Sequence, residues 1–310
     1  MSDVALAKPP RAAEIAGFES LYVTAQDGLR LHVRRYGAAA PRRLPIVCLA
    51  GLTRSGADFH ELACTFSTNA AEPRLVIAID TRGRGGSDFD PNPENYSFPV
   101  ELSDVLAVLT ALEIGPAIFL GTSRGGLLTM LLGAARPAAI AGVILNDIGP
   151  VIDTKGLVRL KGYVGKLPTP KSFQDGAEIL RRLGSAQFTA MTAEQWLDQA
   201  KRTWRETDKG FVLDYDPALA ATLDTVDLER PLPPLWAQFD ALARVPLMLI
   251  RGANSDLLSS ATVDAMRARR LDIDVLEVPD QGHAPLLVER DVIARIAAFV
   301  TLCDVSAFGF

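Results

Sequence analysis

Cysteine and histidine are scarce in this chain of 310 residues, with three of each. Cys48, Cys64 and Cys303 are odd in number and include no C-x-x-C pair. This argues against a disulfide framework or a cysteine zinc site and fits a reducing compartment. With only His32, His60 and His283 available, a histidine-rich metal centre is hard to build, and no metal is expected. Charge of one sign is not in excess either: 32 basic and 37 acidic residues leave a net charge of −5. That speaks against a nucleic-acid surface or a polybasic membrane anchor. No apolar run is long enough to cross a membrane, because the longest, from Leu127 to Leu145, is broken by Arg136-Pro137. The first ten residues lack a basic segment followed by an apolar stretch, so no secretory signal is expected. A cytoplasmic protein with neither nucleic-acid nor membrane partners is the expectation; the oligomeric state is not readable.

What remains is an ordinary globular composition, 48% hydrophobic and 22% charged, with 24 glycines and 20 prolines and no repeat. Residues 1–18 read as a helical or loose lead-in. Ser20–Thr24 and Leu29–Tyr36 alternate in polarity around Asp27-Gly28, the pattern of an antiparallel hairpin. Residues 45–50, 75–80, 117–120 and 143–146 are near-continuous apolar runs, each ending in a polar or glycine-rich loop. Strands apolar on both faces belong to parallel sheets covered on both sides. Helical periodicity lies between them, with Leu102, Val105, Leu106, Leu109 and Leu112 on one face and a nearly all-apolar helix at 127–135. This alternation predicts a doubly wound, mostly parallel α/β sheet.

The rhythm stops after Pro150. Residues 151–235 read as helices, at 172–183 and 193–205, with irregular connections and a rigid exit at Pro231-Leu232-Pro233-Pro234. Strand and helix resume at 246–250, 261–270, 275–278 and 292–300. The expected organisation is a core domain of residues 1–150 and 236–310, with residues 151–235 inserted as a helical lid over the strand ends.

The strongest chemical signal is Gly121-Thr122-Ser123-Arg124-Gly125, a G-x-S-x-G pentapeptide between a buried strand and a buried helix. Its glycines permit the sharp strand-to-helix turn that pushes a serine hydroxyl out at the top of a sheet. Serine needs a base. His283, in Asp280-Gln281-Gly282-His283, follows the last predicted strand, whereas His32 and His60 read as packing or solvated residues. The third member should be a carboxylate on a strand-end loop. Asp256, just before the histidine strand, is favoured over Asp147, and Asp80 reads as part of a structural turn with Arg82 and Arg84. The helix N-terminus offers the N–H of Arg124 as one oxyanion donor, and the loop after strand 46–49 offers the N–H of Leu52, beside Gly51.

These residues, with Asp80-Thr81-Arg82-Gly83-Arg84-Gly85-Gly86-Ser87 and the Gly282-His283 loop, resemble the α/β-hydrolase superfamily over nearly the whole chain. Within it the chain looks most like bacterial esterases and carbon–carbon hydrolases. The resemblance implies an eight-stranded, mostly parallel sheet with a helical cap after the sixth strand, and a hydrolase without cofactor. Two places depart from the family pattern. Ala50-Gly51 stands where many members have His-Gly, and Ser255 stands in the usual place of the acid, one residue before Asp256. A serine nucleophile also argues against the dehalogenases and epoxide hydrolases of the superfamily.

The expected activity is hydrolysis of small-molecule carboxylic esters by Ser123, Asp256 and His283. A second reading keeps these residues but cleaves a lactone or a carbon–carbon bond of a carboxylate-bearing substrate. Arg54 or Arg124 would then hold the carboxylate, against the plainer reading of both as structural ion pairs. A third, of another class, is a ligand receptor or signalling protein on the same fold. Trp196, Trp204, Trp236, Phe173, Phe188 and Tyr163 could line an acyl pocket or form the insertion's own core.

Overall fold

The computed structural model describes residues 17–69, 72–224, 227 and 232–309. Most of the expected lead-in, residues 1–16, and Pro231 of the proline-rich exit lie outside them. β1 (Glu19–Thr24) and β2 (Arg30–Tyr36) form the expected hairpin, paired in register from Glu19↔Arg35 to Thr24↔Arg30. β3 (Ile46–Leu49), β4 (Val76–Ile79), β5 (Ala117–Thr122) and β6 (Ile140–Asn146) follow. A separate two-stranded ribbon is formed by β7 (Trp204–Thr207) and β8 (Gly210–Leu213). β9 (Leu247–Gly252) and β10 (Asp274–Val278) complete the main sheet.

The eight strands lie in the order β1-β2-β4-β3-β5-β6-β9-β10, antiparallel at β1/β2/β4 and parallel from there on. Alternating residues of one strand feed two cores. Val47 and Leu49 point to the side covered by α2 (Phe98–Ala111), α3 (Arg124–Ala135), α8 (Trp236–Asp240) and α9 (Ser260–Arg269). Ile46 and Cys48 point to the side covered by α1 (His60–Thr68) and α10 (Arg290–Phe308). Helices on both faces explain why the central strands carry no polar alternation.

Between β6 and β9 no described residue adds a strand to this sheet. It builds α4 (Thr154–Tyr163), α5 (Phe173–Gly184), α6 (Ala193–Thr203), the β7–β8 ribbon and the single turn α7 (Ala221–Asp224). The helix expected over 193–205 stops at Thr203, and Trp204 and Arg205 open the ribbon instead. Trp204 is buried against Gly176 and Ala200. No described helix is long and apolar enough to cross a membrane.

The order reverses at β3: the chain runs outward to β4, then returns to β5 on the other side. At such a switch point the loops leaving the carboxyl ends of neighbouring strands diverge and leave a crevice. The loops after β3, β5 and β6 open there, and the loop after β10 reaches over to them.

Candidate active site

Ser123 directly follows β5 and caps α3 with φ 52° and ψ −116°, a strained conformation for a non-glycine residue. The glycines around it are required by contact. A Cβ on Gly121 would lie 2.5 Å from the Gly125 carbonyl oxygen, and one on Gly125 would collide with the Leu49 carbonyl of β3. The elbow therefore packs α3 directly on the strand edge and holds the serine above it.

Ser123 Oγ lies 2.8 Å from His283 Nε2, and His283 Nδ1 lies 2.8 Å from Asp147 Oδ2. A carboxylate can only accept, so Nδ1–H donates to Asp147 and Nε2 is left to accept the serine proton. Asp147 follows β6 directly and takes φ 54°, a left-handed turn that aspartate tolerates better than most residues. This turn aims the fully buried carboxylate at the end of β9, where Oδ1 accepts from Gly252 N at 2.8 Å and Oδ2 from Ser255 Oγ at 2.6 Å.

The expectation for Asp256 is thereby corrected: the carboxylate at His283 is Asp147. β6 and β9 are neighbours, so their terminal loops both approach the histidine, and loop order alone does not separate the two acids. Asp256 faces α4 and forms a bidentate pair with Arg159 at 2.7 and 2.9 Å. Burial would raise its pKa, but the Arg159 and Gln187 hydrogen bonds hold its carboxyl below the usual range.

The other singled-out residues have evident partners. His32 is buried, with Nδ1 2.7 Å from Asp80 Oδ2, and His60 meets the Tyr36 hydroxyl at 3.2 Å. Asp80 also accepts from Gly56 N and Gly86 N, tying the turn after β4 to the loop after β3. Arg82 is locked by Asp104, Asp90 and Asp27. Arg54 borders the cavity but pairs with Asp58 and bonds Thr203 and Gln199. Arg124 pairs with Glu101 at 2.6 Å and lies over the Phe98 ring. Both guanidinium groups are thus matched within the protein.

A cavity of about 210 Å³ opens onto Ser123 and His283. Gly51 and Leu52 border it, and Gly51 approaches close enough that a Cβ there would sit 3.7 Å from the Ser123 Cβ. Its apolar wall comes largely from the segment between β6 and β9, including Leu160, Leu183, Phe188, Met191 and Trp196. Tyr163 joins them, its phenol pushed upward by burial. Of the remaining aromatics, Trp204 is core, Phe173 packs edge-on against Phe211, and Trp236 against Phe239.

Several contributors escape a reading of motifs. Ser255 and Gly252 hold Asp147, and Gln187 reaches over to accept from His283 N at 3.2 Å and bonds Asp256. Gly252 and Ser255 are marked in the sequence only by their nearness to Asp256 and, for Ser255, by its place in the family pattern; Gln187 has no such mark. Glu101 is different: it lies three residues before Asp104 and four before Val105, on the buried face of α2, and a carboxylate there demands partners.

Residues 46–296 match the profile of the alpha/beta hydrolase family. The 3-hydroxybutyrate-oligomer hydrolase of Cupriavidus necator is 33% identical over 281 residues, 88% of this chain and 93% of that protein. An sn-1-specific diacylglycerol lipase of Mus musculus is 32% identical, over 77% of this chain and 74% of its own. A crystal structure of an alpha/beta hydrolase from Novosphingobium aromaticivorans superposes with a TM-score of 0.83 at 38% identity, covering 93% of this chain and 99% of that one.

Proposed function

We propose, from the premise that this chain belongs to the alpha/beta hydrolase family, that it hydrolyses carboxylic esters through an acyl-enzyme on Ser123. The observation that carries this reading is the continuous hydrogen-bonded chain Ser123–His283–Asp147 at the floor of a largely apolar cavity. In this reading His283 takes the hydroxyl proton as Ser123 Oγ attacks the ester carbonyl, and Asp147 stabilises the imidazolium. The N–H of Arg124, first residue of α3, has no acceptor within its helix, and Leu52 borders the same cavity as Ser123; in this reading the N–H groups of Arg124 and Leu52 hold the oxyanion. His283 returns the proton to the leaving alcohol. Water then enters by the same route and releases the acid. The segment 151–235 acts as the cap that sizes the acyl group.

Similarity to a 3-hydroxybutyrate-oligomer hydrolase supports a short hydroxyacyl ester as the first substrate class to test. The pairing of Arg54 with Asp58 and of Arg124 with Glu101 gives no support to a carboxylate clamp, so the lactone and carbon–carbon readings rank below the ester. The test is release of free acid from p-nitrophenyl esters, acetyl to dodecanoyl, and from 3-hydroxybutyrate dimer and trimer, by wild type and Ser123→Ala. Turnover lost in the variant supports the proposal. Turnover by the wild type no faster than by the variant overturns it in favour of a specialised hydrolase or a receptor.

A further inference from the structure

Behind the elbow lies a second, largely buried charge cluster that the reaction above does not use. Glu101 on α2 has no solvent exposure. Its Oε1 accepts from Arg84 Nη1 at 2.6 Å and its Oε2 from Arg124 Nε at 2.6 Å. Arg84, also fully buried, uses Nε to donate to the carbonyl oxygen of Leu52 at 2.8 Å, and Nη1 to bond Arg82 O. Arg124 donates from Nη2 to Tyr96 O at 3.1 Å. Arg84 Nη2 is buried with no hydrogen-bond partner. One carboxylate therefore ties together the two residues, Leu52 and Arg124, whose backbone N–H groups were assigned to the oxyanion.

We propose that Arg84, Glu101 and Arg124 form a positioning network that fixes the spacing of the two oxyanion donors and places a buried positive charge behind them. The proposal rests on the serine-hydrolase reading of Ser123. The physical argument has two parts. Arg84 holds the Leu52 carbonyl and so fixes the peptide after Leu52; the Leu52 N–H lies in the peptide before it, joined through the same Cα, so this bond narrows the positions that donor can take. On the other side, the Arg124 side chain anchors the first residue of α3 to the same carboxylate, so neither donor can move without straining Glu101. Two guanidinium groups against one carboxylate leave a net single positive charge in a largely buried site, where a fixed charge acts more strongly than in water. Burial would raise the Glu101 pKa, yet the two arginines hold it below the usual carboxylate range; burial also lowers the Arg84 pKa from its ordinary high value, against the pull of Glu101.

Arg84, Glu101 and Arg124 are positioning residues: none is required to touch the substrate. A substrate-carboxylate role for Arg124 predicts something else, a KM effect confined to anionic substrates. The decisive experiment uses neutral p-nitrophenyl esters and an anionic one, the p-nitrophenyl monoester of a dicarboxylic acid, with wild type, Glu101→Gln and Arg124→Gln. Arg124→Gln guards against misfolding, because that side chain is partly exposed. The expected result is a fall in kcat of about tenfold to a hundredfold with KM within about threefold, as for a small misplacement of catalytic dipoles. Affinity for an alkyl trifluoromethyl ketone, whose Ser123 adduct carries an oxyanion, should fall in parallel with kcat/KM. Folded variants that keep wild-type kcat and ketone affinity overturn the network. Loss confined to KM for anionic esters overturns it in favour of a carboxylate contact. Wild-type protein without Ser123-dependent turnover overturns the hydrolase reading itself, and this proposal with it.

Discussion

Ser255 donates its hydroxyl hydrogen to Asp147 Oδ2 at 2.6 Å, the oxygen that also accepts from His283 Nδ1. The residue that the family pattern would make the acid instead serves the acid on the neighbouring strand. With Gly252 N on Oδ1, Asp147 receives three hydrogen bonds, so both oxygens of this buried side chain have protein partners.

This arrangement separates the two acids experimentally. Asp147→Asn should lower kcat by about 10³- to 10⁴-fold, because an amide in that place favours the wrong imidazole tautomer. Asp256→Asn should cost less than about tenfold, since it removes only a partner of Arg159 and Gln187. Steady-state kinetics on one ester with both variants decides the matter, and the opposite ranking would return the role to Asp256.

Ser255→Ala removes one of the three bonds but leaves the two that fix Asp147 to His283 and Gly252. A fall in kcat of about threefold to tenfold is expected, matching one charge-assisted hydrogen bond shared with a neighbour. The thermal midpoint should fall only slightly. A loss as deep as that of Asp147→Asn would mean that Ser255 does more than orient the carboxylate.

The alternation of apolar runs and helical periods made the layered sheet legible, because strands covered on both faces can afford no polar positions. The serine and histidine were legible for a related reason: Gly121, Gly125 and Gly282 sit at close approaches that leave few other choices. Asp147 was not, because the sequence shows which loop follows which strand but not which strands are neighbours. β6 lies against β9, and that adjacency alone brings the Asp147 turn to the histidine. The β7–β8 ribbon was missed for want of contrast: Trp204 and Arg205 extend the amphipathic pattern of α6, and only burial of Trp204 under Gly176 ends the helix there.

The cavity wall predicts selectivity. Phe188 borders the cavity and packs edge-on against Trp196, ring centroids 6.3 Å apart. Phe188→Ala should enlarge the apolar end and shift kcat/KM toward longer acyl chains, changing the octanoyl-to-butanoyl ratio by about tenfold, as expected when a few methylenes gain space. The p-nitrophenyl series reads this directly. An unchanged ratio would place the acyl group elsewhere in the cavity.

Acid stability should depend on a pair remote from the site. Asp304, near the end of α10 and fully buried, accepts from Arg74 at 2.5 and 3.0 Å, from Leu44 N at 2.9 Å and from Arg43 at 3.2 Å. Burial raises the carboxyl pKa, but these bonds outweigh it and hold the group below its ordinary value. In the unfolded chain Asp304 takes up its proton near pH ~3.9. A depressed folded pKa therefore contributes stability that is fully present above that pH and is lost as pH falls through the folded value. Asp304→Asn leaves Arg74 buried and uncompensated, at a cost of about 3–5 kcal/mol near neutrality. Urea unfolding of both proteins at pH 7 and pH 3 should show a gap that narrows in acid, because the wild type loses there what the variant never had. A gap that stays constant would mean that Asp304 contributes through packing rather than charge.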